Sequence, residues 1–253
     1  LAVSFNKPYT ERADGIINWL QLPINKRPKF ITLYIHDTDS YGHEYGPDSP
    51  EIDSSISRVD SVIGYLEKEL AEIGLIDSTN IIIVADHGMT EISNERVIEL
   101  DNIIDTESLY LQDMGTFTAI DADSSLVESV YNTLKATEDH YKVYLKEEIP
   151  DYYFYNKHPF ILPILVVADL GWSVAYNLGE NDYVSKIGGN HGYEKDHLDM
   201  HGIFIAKGPS FRKGFKTGTL WNIDIYPLLC KIFGISPRTN IDGKLERIGF
   251  ILK

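Results

Sequence analysis

The chain has 253 residues, and its 43% hydrophobic and 24% charged side chains, with 16 tyrosines, 10 phenylalanines and 3 tryptophans, describe a globular protein with a sizeable core rather than a disordered or fibrous one. Its 38 acidic against 23 basic side chains leave a formal net charge of −15, which excludes holding a nucleic acid or an anionic membrane through a basic stripe. A single cysteine, Cys230, excludes an internal disulfide framework and a cysteine-rich zinc site.

The length suits one large α/β domain better than two small ones. The longest apolar run, Phe160 to Leu170, is broken by Pro163 and Asp169 and falls short of the ~20 residues of a membrane span, so no transmembrane segment is expected in this chain. No Asn-x-Ser/Thr sequon occurs. The chain opens Leu-Ala-Val-Ser-Phe, with neither an initiator Met nor a signal-peptide pattern, and the expectation is that sequence lies upstream of Leu1.

Thr10 is placed to cap a first helix carrying Ile16, Ile17, Trp19 and Leu20, which ends before Pro23. Lys29 to His36 then reads as a buried strand, followed by a loop. Ser49-Pro50-Glu51 is a helix start, with a capping hydroxyl, proline at the first helical position and an acid in the first turn. From there Ile52, Ile56, Val59, Ile63, Leu66, Leu70 and Ile73 draw one apolar stripe until Gly74 stops it. Asn80 to Ala85 is a continuous apolar strand of the kind buried on both faces of a parallel sheet.

Strands are predicted at Val97 to Leu100, Thr116 to Ile120, Lys142 to Leu145, Ile164 to Ala168, Ser173 to Tyr176 and Gly202 to Ala206. Helices are predicted at Ser124 to Ala136 and Ile223 to Phe233. No repeat, low-complexity segment or linker marks a domain boundary. Alternating buried strands and amphipathic helices predict an α/β protein with its sheet layered between helices.

Three polar clusters follow or adjoin the confident strands. They are Asp37-Thr38-Asp39-Ser40-Tyr41-Gly42-His43, Asp86-His87-Gly88-Met89 and Gly188-Gly189-Asn190-His191-Gly192-Tyr193. In open α/β sheets the carboxyl edge is where ligands bind. Carboxylate and imidazole without thiolate are the donor set of a hydrolytic Zn²⁺ site, mononuclear or dinuclear. Each piece alone is also an ordinary turn or cap residue; their joint occurrence at strand ends is what points to metal chemistry.

The run Asp39-Ser40-Tyr41-Gly42-His43-Glu44-Tyr45-Gly46-Pro47 resembles the Asp-Ser-x-Gly-His-x-x-Gly-Pro signature of the nucleotide pyrophosphatase/phosphodiesterase (type I phosphodiesterase) family, in the alkaline phosphatase superfamily. The resemblance extends over essentially the whole chain and in family order. It takes in Trp19 to Pro23, Arg27-Pro28, Arg58-Val59-Asp60, Ala85 to Met89, Gly189 to Tyr193, Met200-His201, Gly208-Pro209 and Ile225 to Cys230. It implies an alkaline phosphatase-like fold, a central, mostly parallel sheet sandwiched between helices, lacking its N-terminal strands. On this expectation residues 1–253 are the C-terminal two thirds of a single catalytic domain.

The resemblance also implies two Zn²⁺ ions per complete site. Asp39, His43 and His191 resemble the full ligand set of one, and Asp86 with His87 half the set of the other. The family supplies a further Asp and a Thr nucleophile from a stretch expected upstream of Leu1, so no catalytic nucleophile is assigned here. The implied chemistry is two in-line displacements through a covalent nucleotidyl-Thr, hydrolysing phosphodiester or pyrophosphate bonds of nucleotides to nucleoside monophosphates. Two Zn²⁺ ions would invert the local field of an acidic protein and so admit a phosphate substrate.

Phe5, just ahead of Pro8-Tyr9-Thr10-Glu11-Arg12, resembles an aromatic on which family members stack the base, and a core or frayed-terminal phenylalanine is its other reading. The expected partner is a small phosphodiester, a nucleotide. The expected location is extracellular or extracytoplasmic, with any membrane anchor elsewhere in the full-length protein. The alternatives are a noncatalytic metal-binding pseudoenzyme, a choline or lysophospholipid phosphodiesterase of the same family, and a sulfatase or metal-dependent phosphomutase, which lack the signature run.

Overall fold

Among the described residues five α-helices and ten strands are set in chain order by the apolar pattern and its punctuation. They run α1 (Tyr9–Leu20), α2 (Asp37–Tyr45), α3 (Pro50–Glu72), β1 (Ile81–Val84), β2 (Thr90–Ser93), β3 (Val97–Glu99), β4 (Tyr110–Gln112), β5 (Phe117–Asp121), α4 (Val127–Ala136), β6 (Tyr141–Leu145), β7 (Ile164–Ala168), β8 (Ser173–Ala175), β9 (Ile187–Asn190), β10 (Phe204–Lys207) and α5 (Ile225–Phe233). The computed structural model describes residues 7–178 and 187–253. It divides into two compact units, one of Leu1–Tyr41, Pro50–Asp86 and Ile203–Lys253, the other of Gly42–Ser49 and His87–Gly202.

In the first unit α1 and α3 bury Ala13, Ile16 and Ile17 together with Val62 and Leu70. Tyr65 Oη of α3 donates to Asp14 Oδ1 of α1 at 2.6 Å. Pro8, not Thr10, occupies the N-cap of α1, and no side chain caps it. Thr10 therefore lies inside the helix, because the proline already fixes the entry. The helix α3 starts at Pro50 as expected and stops at Gly74, whose φ of +69° lets Leu75 N–H turn back onto Leu70 O at 2.8 Å.

β1 pairs antiparallel with β10 in the register Ile81↔Lys207 to Val84↔Phe204. Ile82, Phe204 and Ala206 pack on a core of Phe211, Leu228, Ile248 and Ile251. The expected strand at Lys29 to His36 takes part in no ladder among the described residues. Its exposure alternates as a strand's would, and Arg12 Nη1 donates to the carbonyl of Tyr34 at 2.9 Å. An apolar pattern makes a segment extended, but only a neighbouring edge makes it a strand.

The second unit is built on the four-stranded sheet β4-β5-β7-β6. β7 is buried along its full length. Ile164, Val166 and Ala168 join one core, with Leu134 of α4, Tyr141, Val143 and Val174; the alternate residues Leu165 and Val167 join another, with Ala119, Ile149 and Ile161. This explains why the mostly parallel sheet expected from sequence is not what the ladders show. Every described pairing is antiparallel except β3 with β8. A continuous apolar run records that both faces are covered, and that is equally true of a central antiparallel strand. The α/β class holds, and no described helix is long and apolar enough to cross a membrane.

Candidate metal centre

The first motif lies on helix α2, not in the loop expected after His36. Asp37 and Asp39 sit in its first turn, where the unpaired N–H groups favour negative charge, and His43 sits in its last. Asp39 and His43 are thus one helical turn apart, at i and i+4, on neighbouring positions of the helix surface. The first turn is held by α3. Asp37 Oδ2 accepts from Ser55 Oγ at 2.8 Å and from Arg58 Nε at 2.9 Å and Nη2 at 2.7 Å, while the Arg58 guanidinium covers the Tyr41 ring at 4.6 Å.

In the second unit β2 pairs antiparallel with β9, Thr90 opposite Asn190. That register carries the segment before Thr90 and the segment after Asn190 past each other. As a result the imidazoles of His87 and His191 stack face to face, their centroids 3.4 Å apart and their planes 9° from parallel. His43, with its ring centroid 5.0 Å from that of His191, completes a group of three histidines from three separate segments. Glycine makes the approach possible: a Cβ on Gly88 would be driven into the carbonyl oxygen of Asp199, and one on Gly189 into that of Gly42.

Two of the three rings have their tautomer set by the backbone. His43 Nδ1 lies 2.8 Å from Gly189 O, and His87 Nδ1 lies 2.7 Å from Gly88 O. A carbonyl oxygen only accepts, so each Nδ1 carries the proton and donates it, and in a neutral imidazole so held Nε2 is the metal-binding nitrogen. Histidine ligands of metals are oriented in this way. The donor chemistry of the three imidazoles therefore fits a divalent transition metal such as zinc.

Of the carboxylates expected beside them, Asp39 is half-buried on α2, and Asp86 is exposed at the end of the β1 segment, directly before His87. Phe5, the expected base-stacking residue, lies outside the described residues. His36 sits among aromatics, 5.7 Å from the Tyr9 ring and 6.2 Å from that of Tyr34. Asp169 to Trp172 is a turn, with Trp172 N–H donating to Asp169 O at 2.9 Å.

Sequence reasoning missed the two short strands β2 and β9, and with them the register that sets His87 against His191. It also missed the contacts after His191, where Tyr193 Oη donates to Trp172 O at 2.8 Å and Glu194 Oε2 accepts from Tyr153 Oη at 2.5 Å. Burial pushes the Tyr193 phenol up to about 12. The one local signal for α2 was the i, i+4 spacing of its polar residues, Asp37 with Tyr41 and Asp39 with His43.

Comparison with known proteins agrees with the motif resemblance. The sequence model described as type I phosphodiesterase / nucleotide pyrophosphatase matches residues 2–194. The chain is 38% identical over 245 residues to Bis(5'-adenosyl)-triphosphatase enpp4 of Xenopus laevis, covering 96% of this chain and 52% of that protein. It is 39% identical over 235 residues to human Bis(5'-adenosyl)-triphosphatase ENPP4, covering 92% and 50%. The chain thus spans about half the length of these curated relatives. Among solved structures, an inactive variant of murine ectonucleotide pyrophosphatase / phosphodiesterase 5 in complex with AMP superimposes with a TM-score of 0.91 at 35% identity, over 100% of this chain and 66% of that one.

Proposed function

The chain belongs to the type I phosphodiesterase / nucleotide pyrophosphatase family, and from that premise we propose that residues 1–253 are part of the catalytic domain of a zinc-dependent enzyme that cleaves phosphodiester or pyrophosphate bonds of nucleotides and releases nucleoside monophosphates. The observation that carries this reading is the group of three imidazoles, two of them oriented through Nδ1 by backbone carbonyls.

In this proposal Asp39, His43 and His191 hold one Zn²⁺, and Asp86 with His87 contributes to the second. Bound zinc would lower the pKa of an attacking oxygen and stabilise charge developing on the phosphoryl group. The chain's own part is positional. The carbonyls of Gly189 and Gly88 orient the rings, and the Asp37–Arg58 contact fixes the first turn of α2. No residue of this chain is assigned as the nucleophile.

A nucleotide substrate is favoured because the curated relatives are named as bis(5'-adenosyl)-triphosphatases and the murine relative is described with AMP. Phe5 is retained as the base-stacking residue, and a location outside the cytoplasm follows the same relatives. The test is to assay the full-length protein on diadenosine triphosphate while measuring its zinc content. Release of AMP, abolished by chelation, restored by Zn²⁺ and reduced roughly a hundredfold or more by H43A or H191A, supports the reading. Turnover undiminished in zinc-free protein overturns the metal assignment. Zinc binding without turnover overturns the hydrolase, and release of phosphocholine from a choline phosphodiester in place of AMP overturns the nucleotide preference.

A further inference from the structure

The loop that carries His191 leaves β9 at Asn190, whose Oδ1 accepts the His191 N–H at 2.9 Å. Gly192 follows with φ +97°, where a Cβ would also press on Thr116 Oγ1 at 2.9 Å. Tyr193 is then buried, with its hydroxyl on the carbonyl of Trp172. Glu194 comes next. One of its oxygens, Oε2, takes the Tyr153 hydroxyl at 2.5 Å and the Tyr152 hydroxyl at the longer 3.4 Å. Its other oxygen, Oε1, is buried without a hydrogen-bond partner among the described residues.

A carboxylate with one oxygen buried away from hydrogen-bonding groups depends on donors at the other, which makes the Tyr153 O–H the donor that keeps Glu194 in place. Burial and then the Glu194 carboxylate push the Tyr153 phenol up, so it stays protonated and able to donate. Tyr153 is itself fixed. It ends the short turn Asp151–Tyr153, packs on the Ala119, Ile149 and Leu165 face of the sheet, and meets the rings of Tyr144 at 6.3 Å and Tyr152 at 5.1 Å edge-on. Glu194 lies three positions beyond His191, a reach of ~10 Å when extended, and Tyr193 is anchored between them.

We propose that Tyr153 and Glu194 are positioning residues for His191: a phenol–carboxylate latch that ties the loop after β9 to the sheet and so sets where the imidazole is presented to a metal ion. The inference rests on the reading of His191 as a zinc ligand and goes beyond it. No function has been attached to this pair by the motif or by the metal donor set.

The experiment measures Zn²⁺ affinity of the full-length protein by competition with a chromogenic chelator, alongside thermal melts. Y153F and E194A are each expected to weaken zinc binding about tenfold, the scale of lost partners behind a metal ligand. E194Q, whose amide oxygen still accepts the phenol proton, should restore affinity to near that of the parent. The Y153F/E194A double variant should be no weaker than the singles, because both break one contact. L228A, a cut in the separate core of Phe211, Leu228, Ile248 and Ile251, serves as the control: it should lower the melting temperature and leave zinc affinity unchanged. If Y153F and E194A behave as L228A does, or if E194Q is as weak as E194A, the latch is overturned while loss of zinc in H191A keeps the ligand reading. Zinc binding unaffected by H191A overturns both.

Discussion

Asp224 is wholly buried at the N-terminal end of α5, and its carboxylate accepts from Lys244 N–H at 2.7 Å and from Arg247 Nε at 2.8 Å and Nη2 at 2.5 Å. Burial alone would push the Asp224 carboxyl up; the Arg247 contact and the Lys244 amide outweigh it and hold it below the usual range. A depressed folded pKa means the native state binds fewer protons than the unfolded chain. The stability it contributes is therefore present above an unfolded value of about 4 and is lost as pH falls through the lower folded value. Urea melts between pH 7 and 3 should show a smaller acid loss in D224N than in the parent. R247M, which strands a buried carboxylate, should cost about 3 kcal/mol at pH 7; a change below about 0.5 kcal/mol would mean water reaches Asp224 after all. Gly88 makes a second point at this scale. Its N–H donates to Met200 O at 2.9 Å, and a side chain there would meet the Asp199 and His201 carbonyls. G88A should displace the neighbouring His87 and weaken zinc binding, read by the same chelator competition; parental affinity would show that the facing segment at Asp199 to His201 can give way.

Among elements, α2 shows how a motif can be legible while its conformation is not. The sequence marked Asp39 and His43 through their place in the signature run, yet nine residues, polar or aromatic but for one glycine, read as a loop. What makes them a helix is external: Arg58 of α3 grips Asp37 and Tyr41, one turn apart. R58A should destabilise the protein by about 1–2 kcal/mol, the worth of a charged hydrogen bond at a half-exposed site, and should lower zinc affinity through α2. A melt unchanged from the parent would show that α2 stands without it. The sheet shows the reverse case. Leu134 lies in the helix expected at Ser124 to Ala136 and is fully buried against β6 and β7, so L134A should cost about 2–5 kcal/mol in a denaturant melt. A cost under about 1 kcal/mol would mean the second unit repacks freely. Pairing direction was not legible, because residue burial carries no record of it. The apolar stripe of α3 was read only coarsely: Ile56, on the stripe, is 52% exposed, while Val62, off it, is buried.

At the scale of the whole molecule, a net charge of −15 is the background in which a phosphate substrate must be drawn in, and the proposed zinc ions are the local answer to it. A second feature at this scale is apolar exposure. Val84 of β1 and Ile205 of β10 are 45% and 54% exposed, and neighbouring Ile203 is 58% exposed. Exposed apolar strands pair with other chains, so residues 1–253 expressed alone should associate with rising concentration in sedimentation velocity, and I205T with V84T should reduce it. Monomeric behaviour at every concentration would contradict this. The sequence by itself determined the α/β class, the limits of most helices and strands, the family signature and the residue types of the candidate metal centre, because periodicity, capping and spacing are local. Only the tertiary structure decided which extended segment found a ladder, which way the strands ran, and that the β2–β9 register would stack His87 on His191. Those are choices of partner between segments about a hundred residues apart, and hydrophobic pattern specifies that a surface is covered without specifying what covers it.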